Sequence, residues 1–324
     1  MRLKISSLPL VLFAALSIVT GAVHGQSAFP TKPIKIVVPF PPGGSPDLLA
    51  RTVGQKLQEM WQQPVVVENV PGAGGTIGAQ NVARAPADGH TWLVAPNNVL
   101  IFAPLLQQVP FDPVKSFAPV ALAISVQNLL VVNPSVPAKN VAELISLAKS
   151  QPGKISYASG GLGSPQNFST ELLKSMAGLD VVHVPYKGAQ AAMPDVLSGL
   201  VPVFISQANS LLPLIESGKL RLLAGTGEKR YATLPNVPTV AETVPGYAVD
   251  IWSGFVMPAN TPKDIVDKSS AAVRQILALP EVQAIFNKQG IEVSSSTPEQ
   301  MANVIRSDIT RWAKVVKDAN IKAE

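Results

Sequence analysis

The chain has no cysteine and only three histidines in 324 residues. Without cysteine there is no disulfide framework and no lipid-bearing thiol to anchor the chain to a membrane. His90 and His183 lie far apart in sequence, each beside a strand-like run. Neither has the neighbours that a zinc site or a histidine-based triad requires, so both read as structural. No G-x-S-x-G elbow and no Walker A loop occurs. Ser146 and Lys149 spell S-x-x-K, but Leu144, Ile145 and Ala148 flank them on an amphipathic helix, and no S-D-N or K-T-G follows. Acid–base and nucleophilic chemistry therefore lack carriers, and no enzymatic activity, metal or cofactor is expected.

Long apolar runs are also scarce. Past the first residues, proline or charge interrupts every one. At the start, Arg2 and Lys4 precede an apolar stretch from Leu8 to Val19, and Val23 and Gly25 offer a small-residue cleavage site. Residues 1–25 thus read as an export signal, with Gln26 as the expected first residue of the mature protein and a cut after Ser27 as the alternative. Arg2 and Lys4 account for two of the net +5 charge, and the other basic residues are scattered, with Lys229-Arg230 the longest run. That pattern argues against nucleic acid as a partner and is compatible with a small anionic ligand.

With 47% hydrophobic residues the chain has material for a large core and more than one lobe. Strand-like and helix-like segments alternate from Ile34, which predicts an α/β fold with mainly parallel sheets. The expected strands include 34–40, 65–68, 91–95, 129–132, 154–158, 181–184, 203–206 and 220–225. The last third reads as three helices, 262–277, 281–289 and 298–319, the third opened by a capping box of Thr297 and Gln300. Thirty prolines are dispersed and no long linker exists. Two lobes without a linker are most simply built by a chain that crosses between them more than once. The candidate crossings are 125–131 and 249–255, dividing the chain into 26–128 plus 252–324 and 129–251.

The tripeptide Gly-Ser-Pro occurs at Gly44-Ser45-Pro46 and again at Gly163-Ser164-Pro165, both times between a strand and a helix. Serine is a good N-cap, proline fits the first helical turn, and glycine lets a ligand approach the backbone. Free N–H groups and the positive end of the helix dipole then suit a carboxylate or phosphate without any arginine. A single copy reads more readily as a plain turn, and the second brings the anion-site reading level with it. Asp47, one turn from Arg51, is expected to serve the first helix structurally, with ligand contact as the lesser role. The competing signal is Gly72-Ala73-Gly74-Gly75-Thr76-Ile77-Gly78. It resembles a dinucleotide loop, but its spacing is loose, and the next strand ends in Pro96-Asn97-Asn98 without the acidic residue expected on a ribose. A nucleotide-dependent oxidoreductase is the resulting alternative, and the loop could equally line a cleft.

Several segments occur in fixed order from about Phe29 to the C-terminus: PFPPGGSPDLLAR, VVVENVPGAGGTIGA, FDPVKSFAPV, VHVPYKG, GKLRLLAGT and LPNVPTVAETVPGY. Together they resemble the extracytoplasmic solute receptors of tripartite tricarboxylate transporters, the Bug-type family. The resemblance implies a type II periplasmic binding-protein fold, two α/β lobes around a ligand cleft and no catalysis. It also implies a periplasmic location, a small carboxylate ligand and an inner-membrane permease as partner, with the receptor itself a monomer; a sensor with the same fold is the other possibility. By the same resemblance, the ligand is held by the loop from Phe40 through Gly43, Gly44 and Ser45 to Asp47. A second loop, from Ser159 through Gly161, Gly163 and Ser164 to Asn167, completes the site, with Asn97 and Ser206 as further candidates. Asn167 departs from a histidine frequent in the family, Ser206 from an aspartate at a strand end, and Ser116 from an aspartate. Loss of a carboxylate at Ser206 disfavours ammonium-bearing ligands, leaving a dicarboxylate, aliphatic or aromatic, or a related monocarboxylate as the preferred class.

Overall fold

The computed structural model describes residues 29–318 except Ala232, so the expected export signal lies outside the described residues. Its first strand, β1 (Ile34–Val38), is buried at every position but Lys35, as an interior strand covered on both faces should be. Helix α1 (Ser45–Trp61) turns Leu49, Ala50, Val53 and Leu57 onto the sheet, each fully buried, while Met60 at its end is exposed. Strand β2 (Val65–Asn69) pairs parallel with β1 on the outside and alternates between half-buried and exposed, as an edge strand does. A 3-10 turn at Ala73–Gly75 leads into α2 (Thr76–Ala83), and β3 (Thr91–Pro96) pairs parallel on the other side of β1. A π-helical segment, Asn98–Phe102, and the one-turn α3 (Ala103–Leu106) follow.

The chain then runs through β4 (Phe117–Val126) and, after Gln127 alone, enters β5 (Asn128–Val132) of a second sheet. That sheet is completed by β6 (Ser156–Ser159), β7 (Val182–Pro185), β8 (Val203–Gln207) and β9 (Arg221–Gly225). Helices α4 (Val141–Ser150), α5 (Pro165–Ala177), α6 (Ala189–Ser198) and α7 (Ala208–Glu216) connect them. The return falls in the segment 226–250, after which β10 (Ile251–Pro258), buried along its whole length, inserts antiparallel between β3 and β4. Helices α8 (Lys263–Leu277), α9 (Pro280–Asn287) and α10 (Pro298–Asp318) close the first lobe, with the short β11 (Ile291–Val293) on the edge of β4. Strand orders are β11-β4-β10-β3-β1-β2 and β7-β6-β8-β5-β9.

The sheets are mixed rather than mainly parallel. Among the named strands, β1 with β2 and β3, and β6 with β7 and β8, pair parallel, and the other five pairings are antiparallel. Strands that enter from the other lobe, such as β5 and β10, run against their neighbours because no crossover helix turns them. The capping box forms as expected: Thr297 N donates to Gln300 Oε1 at 2.8 Å and Gln300 N to Thr297 Oγ1 at 3.2 Å.

Contacts between the lobes are apolar and polar. Phe102, the last residue of the π segment, stacks on Phe168 of α5 with centroids 4.1 Å apart, and Trp312 of α10 meets both rings edge-on. Near the crossings, Asn97 Nδ2 donates to the Asp250 carbonyl at 2.9 Å, Gln127 Nε2 to Glu292 Oε1 at 2.8 Å, and Arg311 to the Ala248 carbonyl.

Candidate functional site

Between the lobes lies a cleft of about 620 Å³. The first lobe lines it with Phe40, the turn residues Ala73 and Gly74, and Asn98, Ala103, Leu106 and Gln107. The second contributes Gly160, the run from Leu162 to Gln166, and Gly188 with Ala189. None of these side chains is charged. A wider groove of about 1020 Å³ beside it is lined by residues 104–109, 111–115 and Ile309, all of the first lobe, whereas the smaller cleft is built by both lobes.

The second lobe presents two helix starts to this cleft. Ser164 caps α5, its Oγ accepting from Asn167 N at 3.3 Å, with Pro165 in the first turn and Gly163 before it at a φ of +72°. Gly188, at a φ of +103°, precedes α6. Gly160 sits between them: a Cβ there would lie 3.1 Å from Ala189 N and 3.3 Å from Gln166 Oε1. Asn167 N is taken by the Ser164 cap and Ala191 N by the Gly188 carbonyl at 3.1 Å, which leaves the first-turn amides of Gln166, Ala189 and Gln190 for a ligand, and both dipoles present their positive ends here. Such an arrangement holds an anion with backbone alone.

The first loop is organised differently. Gly44, not Ser45, is the N-cap of α1, and Ser45 is already the first helical residue. Asp47, buried to 5% exposure, accepts from Gly43 N at 3.1 Å, from Asn69 Nδ2 at 3.0 Å, and from Arg51 Nε and Nη2 at 3.0 Å each. Burial disfavours its charge, but the bonds from Arg51, Asn69 and Gly43 outweigh that and hold the carboxyl below its usual range. Asn69 also donates to the Phe40 carbonyl at 3.0 Å, which shapes the loop. The start of α1 thus carries an anion of its own. Of the first-loop candidates only Phe40 lines the cleft; Gly43, Gly44, Ser45 and Asp47 do not.

In the second loop Gly163 and Ser164 line the cleft, whereas the side chains of Asn167 and Ser159 are spent internally. Asn167 Oδ1 accepts from Gly163 N at 3.2 Å, and its Nδ2 donates to Tyr157 Oη at 2.9 Å. Tyr157 in turn donates to Glu171 Oε1 at 2.5 Å, and burial and that carboxylate push its phenol strongly up. Ser159, fully buried, accepts from Gly161 N at 3.0 Å and lies 2.6 Å from His183 Nε2. Ser159 has no exposure, and its bonds to Gly161 and His183 shape the loop. Gly161, at a φ of +113°, accepts from Ser164 N at 3.2 Å through its carbonyl. Of the other candidates, Asn97 is fully buried with its Nδ2 donating to the Asp250 carbonyl, and Ser206 lies buried in β8 opposite Leu129.

The expectation missed α3 and the start of α6. Gly188 carries no Ser, Thr, Asp or Asn cap signal, and Val99 to Phe102 is a continuous apolar run without helical period. The glycine-rich turn supplies Ala73 and Gly74 to this same cleft rather than a separate nucleotide site, and Gly78 packs so closely that a Cβ would meet the Val70 carbonyl at 2.9 Å.

Two α/β lobes, two crossings and a neutral cleft with helix starts on one wall define a two-lobed solute-binding receptor. The chain belongs to the tripartite tricarboxylate transporter family receptors, whose family model matches residues 49–321. It is 34% identical over 297 residues to Protein BugT of Bordetella pertussis (strain Tohama I), covering 91% of each chain. Among solved structures it is similar to R. palustris Rpa4515 with adipate, at a TM-score of 0.81 and 36% identity, covering 91% of this chain and 100% of that one. It is also similar to MatC (Rpa3494) from Rhodopseudomonas palustris with bound malate, at a TM-score of 0.76 and 32% identity, covering 89% and 100%.

Proposed function

We propose that this chain captures a small carboxylate, a dicarboxylate by preference, in the periplasm and delivers it as a monomer to an inner-membrane permease. The observation that carries the reading is the uncharged cleft onto which α5 and α6 open their N-termini. Backbone amides there hold a carboxylate, while Phe40, Ala103, Leu106 and Leu162 offer apolar surface to the carbon chain between its ends. The adipate and malate held by similar receptors are of this class. The export reading of residues 1–25 accords with the location, and no helix of the described residues is long and apolar enough to cross a membrane.

The lobe boundaries belong to the same proposal: 26–128 with 252–324, and 129–251. They are supported by the single residue between β4 and β5 and by the start of β10 at Ile251. A thermal-shift screen of mono- and dicarboxylates, followed by calorimetry, tests the function. A ligand at about a hundred times its dissociation constant stabilises the folded state by about 2.7 kcal/mol. Saturable binding of NAD(P) with no carboxylate response would replace this reading with the oxidoreductase.

A further inference from the structure

The two helix starts on the cleft wall are tied to one short loop. Ser164 N, ahead of α5, donates to the Gly161 carbonyl at 3.2 Å, and Gly188 N, ahead of α6, donates to the Gly160 carbonyl at 3.2 Å. Ser159 pins this loop from beneath. Its Oγ accepts from Gly161 N at 3.0 Å and lies 3.1 Å from the Gly161 carbonyl oxygen and 2.6 Å from His183 Nε2. A hydroxyl has one proton to give, and two acceptors are in reach of it. The state of Nε2 therefore decides which one it serves. With Nε2 bare, the hydroxyl donates to the imidazole. With Nε2 protonated, the imidazole donates to Oγ and the hydroxyl proton turns to the Gly161 carbonyl, whose two lone pairs can serve both it and Ser164 N.

His183, half-buried on β7, stacks on Tyr157 of β6 with centroids 4.9 Å apart. The titratable side chains of β6, α5 and α6 are engaged with one another: Tyr157 donates to Glu171, Glu171 meets Lys174 at 2.8 Å, and Tyr186, just past β7, donates to Asp195 at 2.6 Å. Lys154, Asp180 and Lys187 stand two residues beyond the ends of β6 and β7. Imidazole is the side chain whose ordinary titration falls between about pH 5 and pH 8. We propose that His183 is a positioning residue for the anion site and makes carboxylate capture proton-dependent. The inference rests on the carboxylate reading above. The protonated imidazole releases the Ser159 hydroxyl to the Gly161 carbonyl, tightens the loop that joins the two helix starts, and adds a positive charge behind amides that already favour an anion. Carboxylate affinity then rises as the imidazole gains its proton, and by linkage the bound carboxylate holds that proton to higher pH.

The test is calorimetry of succinate, malate and adipate between about pH 5.5 and pH 8.5, with the parent protein, His183→Gln, Ser159→Ala and the remote control His90→Gln, and melting curves for each. His183→Gln keeps an amide that can bond Ser159 but does not titrate, and the acids' own ionisation is common to every protein and cancels in the comparison. From the alkaline to the acid end, the parent and His90→Gln are expected to gain about fivefold in affinity relative to His183→Gln. Ser159→Ala is expected to lose more than half of that gain. Proton NMR of the imidazoles, with His90→Gln assigning the signals, is expected to show the His183 midpoint moving to higher pH at saturation with acid. The same pH course in the parent and folded His183→Gln, a gain that survives in full in Ser159→Ala, or a His183 midpoint unmoved by a bound acid overturns this inference alone. If the parent binds none of these acids or any monocarboxylate at any pH, the carboxylate reading falls and takes the inference with it.

Discussion

Asn167 stands in the second loop where Asp47 stands in the first: each side-chain oxygen accepts the amide of the glycine four residues before it, Gly163 at 3.2 Å and Gly43 at 3.1 Å. The two loops share a fold and differ in charge. At the start of α1 a carboxylate complements the helix dipole from within, with Arg51 as its counter-ion. At the start of α5 a neutral amide occupies the same place, and the positive end of the dipole is left for a ligand. This asymmetry is why a carboxylate is expected to anchor on the second lobe.

Asn167→Asp would install the missing anion. A charge about 6 Å from the ligand carboxylate, at an effective dielectric near 20, opposes binding by about 3 kcal/mol before screening. Calorimetry should show affinity falling by at least about tenfold, and by less at high salt because ions screen the repulsion. Unchanged affinity in a variant that melts normally would remove the electrostatic basis of the second-lobe anchor.

Asp47→Asn tests the other loop through stability and pH. The folded carboxyl lies below its ordinary value of 3.8. Its contribution is therefore complete above that value and is lost as pH falls through the lower folded one. Loss of the charge leaves Arg51, Asn69 and the Gly43 amide with a poorer acceptor and should cost about 1–3 kcal/mol in urea unfolding at neutral pH. The difference from the parent should shrink below about pH 4. A cost that stays constant into acid would show that shape, not charge, carries the effect.

Asp308 works in the opposite sense. Burial raises its carboxyl despite the 2.8 Å bond from Trp252 Nε1 and the nearby Arg311. A raised acid contributes stability that is complete below the unfolded value and lost as pH rises through the folded one. Asp308→Asn keeps an oxygen for Trp252 without the charge. Its melting temperature relative to the parent should climb between about pH 4 and pH 7, and a flat difference would contradict the assignment.

Much of this was legible in the residues. The run IKIVV reads as a buried strand and folds as one, and Thr297 with Gln300 caps α10 through purely local bonds. Ser164 caps α5 for the same local reason. What escaped depends on distant partners. β10 (IWSGFVMP) reads as a crossing, because its place between β3 and β4 is set by pairing across more than a hundred residues. Ser45 satisfies every local rule for an N-cap, yet Asp47 takes the Gly43 amide and the helix starts one residue earlier than that role allows. Asn167 and Ser159 carry ligand-like chemistry, and only packing against Tyr157 and His183 turns them inward.

The two Gly-Ser-Pro copies can now be separated by experiment. Ser164 both caps α5 and lines the cleft, so Ser164→Ala should lose about 1 kcal/mol of stability through the cap. It should also lose about 1–3 kcal/mol of binding if its hydroxyl meets a charged ligand. Ser45 neither caps nor lines, so Ser45→Ala should leave both quantities nearly unchanged. Gly163→Val should do most harm, because a φ of +72° is strained for a β-branched residue and its Cβ would collide with Leu106. Pairing it with Leu106→Ala relieves the collision and leaves the strain, so partial recovery of binding in the double variant would assign the rest to the backbone. Calorimetry and urea unfolding on all four proteins decide the matter: equal binding losses for Ser45→Ala and Ser164→Ala would return the first loop to the site and refute the asymmetry between Asp47 and Asn167.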